Sequence, residues 1–198
     1  MLEAPPSAVL LQAFVNTLDV ELDTDDLGTP PLLAEWLTDR GLLDTGERID
    51  AADHDRALRL RAGLRETLGV PVGDAPDPEL VRQADEVLRA IPLVFELGAD
   101  GRPAGFVPAQ ELPPAARALA TLTIAWSELV GSGESTRLKR CAEHGCAWVF
   151  WDVSKNRSRR WCSMRVCGNR TKARRYAAKH APPADERDDA AQDLPGGA

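Results

Sequence analysis

The four cysteines of this 198-residue chain fall in one short stretch, as Cys141-x4-Cys146 and Cys162-x4-Cys167 with fifteen residues between the pairs. Two close-spaced pairs about a hairpin's length apart can bring four thiolates around one tetrahedral metal ion, and zinc is the ion that suits such a set. Disulfides are the competing reading, and an iron–sulfur or redox role is a third. Four thiolates leave no open coordination position, so the implied Zn2+ is a single structural ion. His144 sits inside the first loop as an alternative ligand, two residues before Cys146. A module of some 44 residues buries too little apolar surface to offset its chain entropy, and a metal staple answers that need.

The same stretch is strongly basic. Residues 137–180 carry thirteen Lys or Arg against two acids, Glu143 and Asp152, a net charge of +11 in a chain whose total is −7. Residues 1–136 and 181–198 are both acidic, so the average conceals a basic module between acidic flanks. Arg157, Arg159, Arg160, Arg165, Arg170, Lys172, Arg174, Arg175 and Lys179 are the candidate phosphate contacts, since the guanidinium fork matches phosphate geometry. Asn169 either reads adenine or caps a helix. Arg170 with Arg174, and Arg175 with Lys179, are like-charge i, i+4 pairs, a repulsion better tolerated when an anion neutralises it. A merely solubilising face is the plainer alternative. Trp148, Phe150, Trp151 and Trp161 could stack on bases, but in so small a module Trp161 and one face of the 147–151 strand are expected to pack around the zinc site, which favours duplex DNA over single strands.

The elements that must position these residues are legible in part. Residues 147–151 (AWVFW) and 159–162 (RRWC) are β-prone and predict a hairpin between the two cysteine pairs. Residues 169–180 predict a helix just after Cys167, and the whole order is treble-clef-like by analogy. Upstream, residues 7–18 and 30–41 predict helices, the second stopped at Gly41. Asp50 caps a predicted helix over 51–69 whose Arg56, Arg59 and Arg65 avoid the Ala57, Leu60, Leu64 and Leu68 stripe. Asp77-Pro78-Glu79 opens another, which Pro92 ends. Residues 93–97 and 104–108 flank Asp100-Gly101 as a β-hairpin, and Pro113-Pro114 opens a long helix to about Val130.

The fold class is therefore α+β. A mostly helical domain with a hairpin spans 1–130, a flexible linker 131–136, a zinc finger 137–180 and a disordered acidic tail 181–198. No apolar stretch approaches the roughly 20 residues of a membrane span, and residues 1–18 read as a helix, not a signal peptide, so a cytoplasmic protein is expected. No nucleophile elbow, metal-protease helix or dinucleotide loop is present, and a binding role is expected over an enzymatic one. Asn16 and Thr17, ending an apolar helix, are candidate effector contacts, with helix capping as the alternative. Duplex DNA is the expected partner and RNA or an acidic protein the alternative; a small-molecule effector and a second copy of the chain complete the candidates.

Arg159-Arg160-Trp161-Cys162-Ser163-Met164, followed by Cys167-Gly168-Asn169-Arg170 and Lys172, resembles the CGNR zinc finger over most of residues 137–178. Phe14-Val15-Asn16-Thr17 and Asp19 are similar to the domain that usually precedes that finger in bacterial proteins. The resemblance implies zinc on Cys141, Cys146, Cys162 and Cys167, and a stress-responsive transcription regulator.

Overall fold

The computed structural model describes residues 3–68, 75–98, 104–143 and 145–180. Helix α1 (Pro6–Val15) leads into a two-residue hairpin, β1 (Leu18–Asp19) with β2 (Thr24–Asp25). Helices α2 (Pro30–Asp39), α3 (Ala51–Thr67) and α4 (Pro78–Arg89) follow, then the antiparallel pair β3 (Leu93–Glu96) and β4 (Gly105–Pro108). The turn expected at Asp100-Gly101 lies outside the described residues. Helix α5 (Pro114–Gly131) completes the N-terminal part. Strands β5 (Leu138–Arg140) and β6 (Val149–Trp151), a π-type turn (Met164–Gly168) and α6 (Asn169–His180) make the finger.

The helix boundaries follow from capping chemistry. Asp50 accepts from the Asp53 amide at 2.7 Å, and Asp77 accepts from the Glu79 and Leu80 amides, satisfying first-turn donors that have no partner inside the helix. Helix α2 ends in a Schellman motif: Gly41, at φ +66°, donates to Thr38 and Leu42 donates to Leu37. The same device ends α5. Gly133, at φ +71°, donates to Val130 and Glu134 donates to Leu129.

That second cap changes the reading of residues 131–136. Instead of a free tether, they run as a capped helix end into a short 3₁₀ turn (Ser135–Arg137) tied down on the finger side. Arg157 donates to the Gly133 carbonyl, to Thr136 Oγ1 and to Glu134 Oε1, while buried Arg137 holds Glu134 and the Asp152 and Ser154 carbonyls.

One buried cluster joins Leu11 and Phe14 of α1, Leu60 and Leu64 of α3, and Leu122 and Leu129 of α5 with Leu138, Val149 and Trp151 of the finger. Successive strand side chains point to opposite faces. Val149 and Trp151 therefore enter the helical core while Phe150, between them, enters the cysteine cluster. The pairing differs from the sequence expectation: β6 pairs with β5 in the register Leu138↔Trp151 and Arg140↔Val149, not with residues 159–162. The pattern of residues 147–151 marked a strand correctly, but Leu138 wins the partnership because its fully buried side chain extends the helical core.

Helices α3 and α4 approach closely at Gly63, where a Cβ would sit inside van der Waals contact of Ala84 Cβ and 2.8 Å from the Leu80 carbonyl oxygen. Gly63→Ala would gain up to about 1 kcal/mol of helix propensity. Overpacking against a backbone atom costs about 1–3 kcal/mol and exceeds that gain in a rigid pair. A lowered denaturation midpoint is the expected result; an unchanged or raised midpoint would show that the two helices can separate freely.

Candidate metal centre and nucleic-acid interface

Each cysteine pair is carried by its own tight turn. Cys141 follows β5 and its amide donates to the Trp148 carbonyl at 2.8 Å; the Cys146 amide donates to the Glu143 carbonyl at 2.8 Å. Ala147, at φ +49°, turns the chain back into β6. Around the second pair, Ser163 Oγ accepts from the Val166 amide at 3.3 Å and the Gly168 amide donates to the Ser163 carbonyl at 3.1 Å. These turns bring all four Sγ atoms within 4.8 Å of one another, with 3.6 Å from Cys146 to Cys162 and 3.5 Å from Cys162 to Cys167. A regular tetrahedron with zinc–sulfur bonds of about 2.3 Å has edges of about 3.8 Å. A disulfide would need about 2.05 Å. None of the four cysteines is in a disulfide, and they are spaced as one metal site.

Electrostatics point the same way. Burial pushes the Cys146 thiol up to about 11 and raises Cys162 as well, so bare thiolates would be strongly disfavoured here at neutral pH. A divalent cation reverses that balance and displaces the protons. Cys141, Cys146, Cys162 and Cys167 hold one structural zinc ion. Its role is cohesion, since four sulfurs fill the coordination shell.

A second layer of contacts braces this site. Glu143, buried at 1% exposure, receives Arg174 and lies 2.9 Å from Thr171 Oγ1. That hydroxyl also lies 2.9 Å from the Cys167 carbonyl and accepts from Trp161 Nε1 at 3.2 Å, so α6 is fastened to both cysteine turns. Burial pushes the Glu143 carboxyl up, but the hydrogen bonds from Arg174 and Thr171 outweigh it and hold the group below its ordinary range. The other acid, fully buried Asp152, takes Lys139 Nζ at 2.7 Å and the Ser154 and Arg159 amides at 2.9 Å. Those bonds overcome its burial and bring its pKa down to about 2. Both acids of the basic stretch are therefore structural anchors. Their isolation among thirteen cations was the available signal for this.

The ten residues singled out for nucleic acid separate into two groups. Arg157 ties residues 133–136, and Arg159 donates to the Trp161 and Cys162 carbonyls with its guanidinium 4.7 Å from the Phe150 ring centroid. Arg170 pairs with Glu21 at 2.9 Å and Arg174 with Glu143. The like-charge pair Arg170 and Arg174 is thus neutralised by the protein's own carboxylates. Asn169 donates to the Arg165 carbonyl at 3.0 Å. Arg160, Arg165, Lys172, Arg175 and Lys179 are exposed and have no carboxylate partner among the described residues; Arg160 lies over the Trp161 ring at 5.4 Å. Helix α6 buries none of its side chains. Lys172, Arg175 and Lys179, at i, i+3 and i+7, share one stripe, roughly opposite the side that carries Arg170 and Arg174. His144, the alternative zinc ligand, and the acidic tail 181–198 lie outside the described residues.

Residues 8–133 match the ABATE family, described as a putative stress-induced transcription regulator, and residues 137–180 match the CGNR zinc finger. The chain belongs to the ABATE family. No curated protein matches it.

In the ABATE domain, Asn16 bonds to the finger, Thr17 is bonded within the domain, and both line one groove with Arg40 and Trp148. Asn16 Nδ2 donates to the Val149 carbonyl at 2.7 Å and its Oδ1 accepts from the Val149 amide at 2.8 Å, so one side chain completes the open edge of β6. Thr17, buried at 3% exposure, donates through Oγ1 to the Phe14 carbonyl and accepts from Arg61. Asn16→Ala would strand the amide and carbonyl of fully buried Val149. At about 1–3 kcal/mol per unsatisfied group, the variant should lose about 2 kcal/mol or more and expose the Val149 amide to rapid hydrogen exchange. Retained protection at Val149 would contradict the clamp.

Sequence reasoning missed the charged residues behind this join. Arg65, expected on the polar side of α3, is 5% exposed and donates to the Val15 carbonyl at 2.5 Å and the Ala147 carbonyl at 3.1 Å. Glu66 pairs with Arg140 of the finger at 2.8 Å. Arg61, equally buried, holds Asp25 through two bonds of 2.6 Å. The usable signal was spacing: Arg61 and Arg65 follow Ala57 at successive intervals of four and adjoin Leu60 and Leu64. The Arg61 hydrogen bonds hold the Asp25 carboxyl below its usual range. Its contribution to stability is therefore complete above the unfolded value of about 3.9 and fades as pH falls through the lowered folded value. Asp25→Asn should flatten the acid limb of the stability profile; an unaltered limb would place the acid transition elsewhere.

Proposed function

We propose that this ABATE-family protein regulates transcription by binding duplex DNA through α6 together with Arg160 and Arg165, while its N-terminal domain responds to a stress signal or small ligand. The observation that carries the reading is the division of cations on the finger. Arg157, Arg159, Arg170 and Arg174 are consumed by protein acceptors, whereas the Lys172, Arg175 and Lys179 stripe is exposed on a helix with no buried residue. An exposed helix anchored at its first turn by a metal site has the form that enters a major groove, and exposed cations release counterions when they meet phosphates. Its action is binding, not catalysis, and its compartment the cytoplasm. No helix among the described residues is long and apolar enough to cross a membrane.

The test is fluorescence anisotropy of the zinc-loaded full chain with labelled duplex DNA over a salt series, with RNA as competitor. Affinity that falls steeply with salt and yields to duplex DNA supports the reading. Preferential competition by RNA moves the partner to RNA, and absent or salt-independent binding overturns the reading.

A further inference from the structure

We propose that the groove between α1, α2 and Trp148 of the finger is an effector site, and that it takes a planar aromatic carboxylate. The proposal rests on the reading of the ABATE domain as the sensing half. The groove has a volume of about 470 Å³, within the size range of small-molecule sites. One wall is apolar, formed by Val9, Ala13 and Trp148, with Val9 57% and Trp148 36% exposed. The other is polar, formed by Gln12, Asn16, Thr17, Asp26 and Arg40.

Arg40 is already set for a planar anion. Its guanidinium lies 3.9 Å from the centroid of the Trp36 ring and Nη1 donates to the Trp36 carbonyl at 3.1 Å, so the fork is held in place with donors to spare. It makes no ion pair with a carboxylate among the described residues. A carboxylate suits that fork, and an aromatic body would lie against the exposed indole of Trp148. Asp26, in the same lining, repels any anion there, a singly charged carboxylate less than a doubly charged phosphate.

The position of Trp148 gives such a site its consequence. Trp148 stands between Ala147, whose carbonyl takes Arg65, and Val149, which Asn16 clamps. A ligand spanning Arg40 and Trp148 touches both halves of the protein where they are joined, and binding there strengthens the docked arrangement of the finger.

Isothermal titration of the zinc-loaded full chain with benzoate, salicylate and indole-3-acetate, against inorganic phosphate, tests this. At least one aromatic acid should bind tenfold or more tightly than phosphate, and Arg40→Gln and Trp148→Leu should each weaken it about tenfold. Arg40 is exposed, so its variant, checked for zinc content, keeps the test valid should the Trp148 variant misfold. No heat from any of the three acids, or undiminished binding by folded Arg40→Gln, overturns the proposal. Because no DNA is present, aromatic-acid binding by a chain that fails to bind DNA would uphold the groove while removing the DNA-binding reading.

Discussion

Cys162→Ser, or removal of zinc by a chelator, should dismantle the finger from its C-terminal end while leaving the ABATE domain folded. Structural zinc in small finger peptides contributes on the order of 10 kcal/mol of coupled folding energy, comparable to the whole stability of a typical domain. The loss will not be uniform. Strands β5 and β6 keep Leu138, Val149 and Trp151 in the helical core and retain the Asn16 clamp. Helix α6 has no buried residue and depends on Thr171 and Arg174 against Glu143, on Arg170 against Glu21, and on the Cys167 carbonyl that takes Thr171. Hydrogen exchange should therefore accelerate strongly over residues 152–180 and only modestly over 138–140 and 149–151. Uniform protection after complete metal removal would show that zinc is not what holds α6. Affinity for zinc should also rise with pH, because buried thiols such as Cys146, raised to about 11, must surrender protons to the metal; a pH-independent affinity would refute that linkage.

The second large effect concerns α6. The triple variant Lys172→Ala, Arg175→Ala and Lys179→Ala should fold normally, since the three side chains are exposed and make no ion pair among the described residues. If each neutralises one phosphate, the slope of log affinity against log salt falls by about 3, and at 0.1 M salt the affinity drops about 100- to 1000-fold. Arg157→Ala is the informative contrast. It removes the contacts to Gly133, Thr136 and Glu134, so it should lower stability and leave the salt slope nearly unchanged. Equal slopes in the triple variant and the native chain would place the DNA contacts elsewhere.

Much of this arrangement is legible in the order of residues. The zinc site was readable because ligand spacing is a local property: two cysteine turns of fixed length define their own geometry. Helix starts at Asp50 and Asp77 and the stop at Gly41 were readable for the same reason, as capping involves neighbours in the chain. The charge asymmetry was readable because it needs only counting.

What required the tertiary structure was everything that depends on distant partners. Whether a given arginine is free or consumed could not be read from its type, since Arg170 meets Glu21 across 149 positions and Arg65 meets Ala147 across 82. The choice of β5 over residues 159–162 as partner for β6 was decided by which strand could also bury Leu138 in the helical core. The sequence alone determined that a metal-stapled basic module follows a helical domain. Only the folded chain decided that the two share a core, because burial is a property of surfaces brought together and not of residues in order.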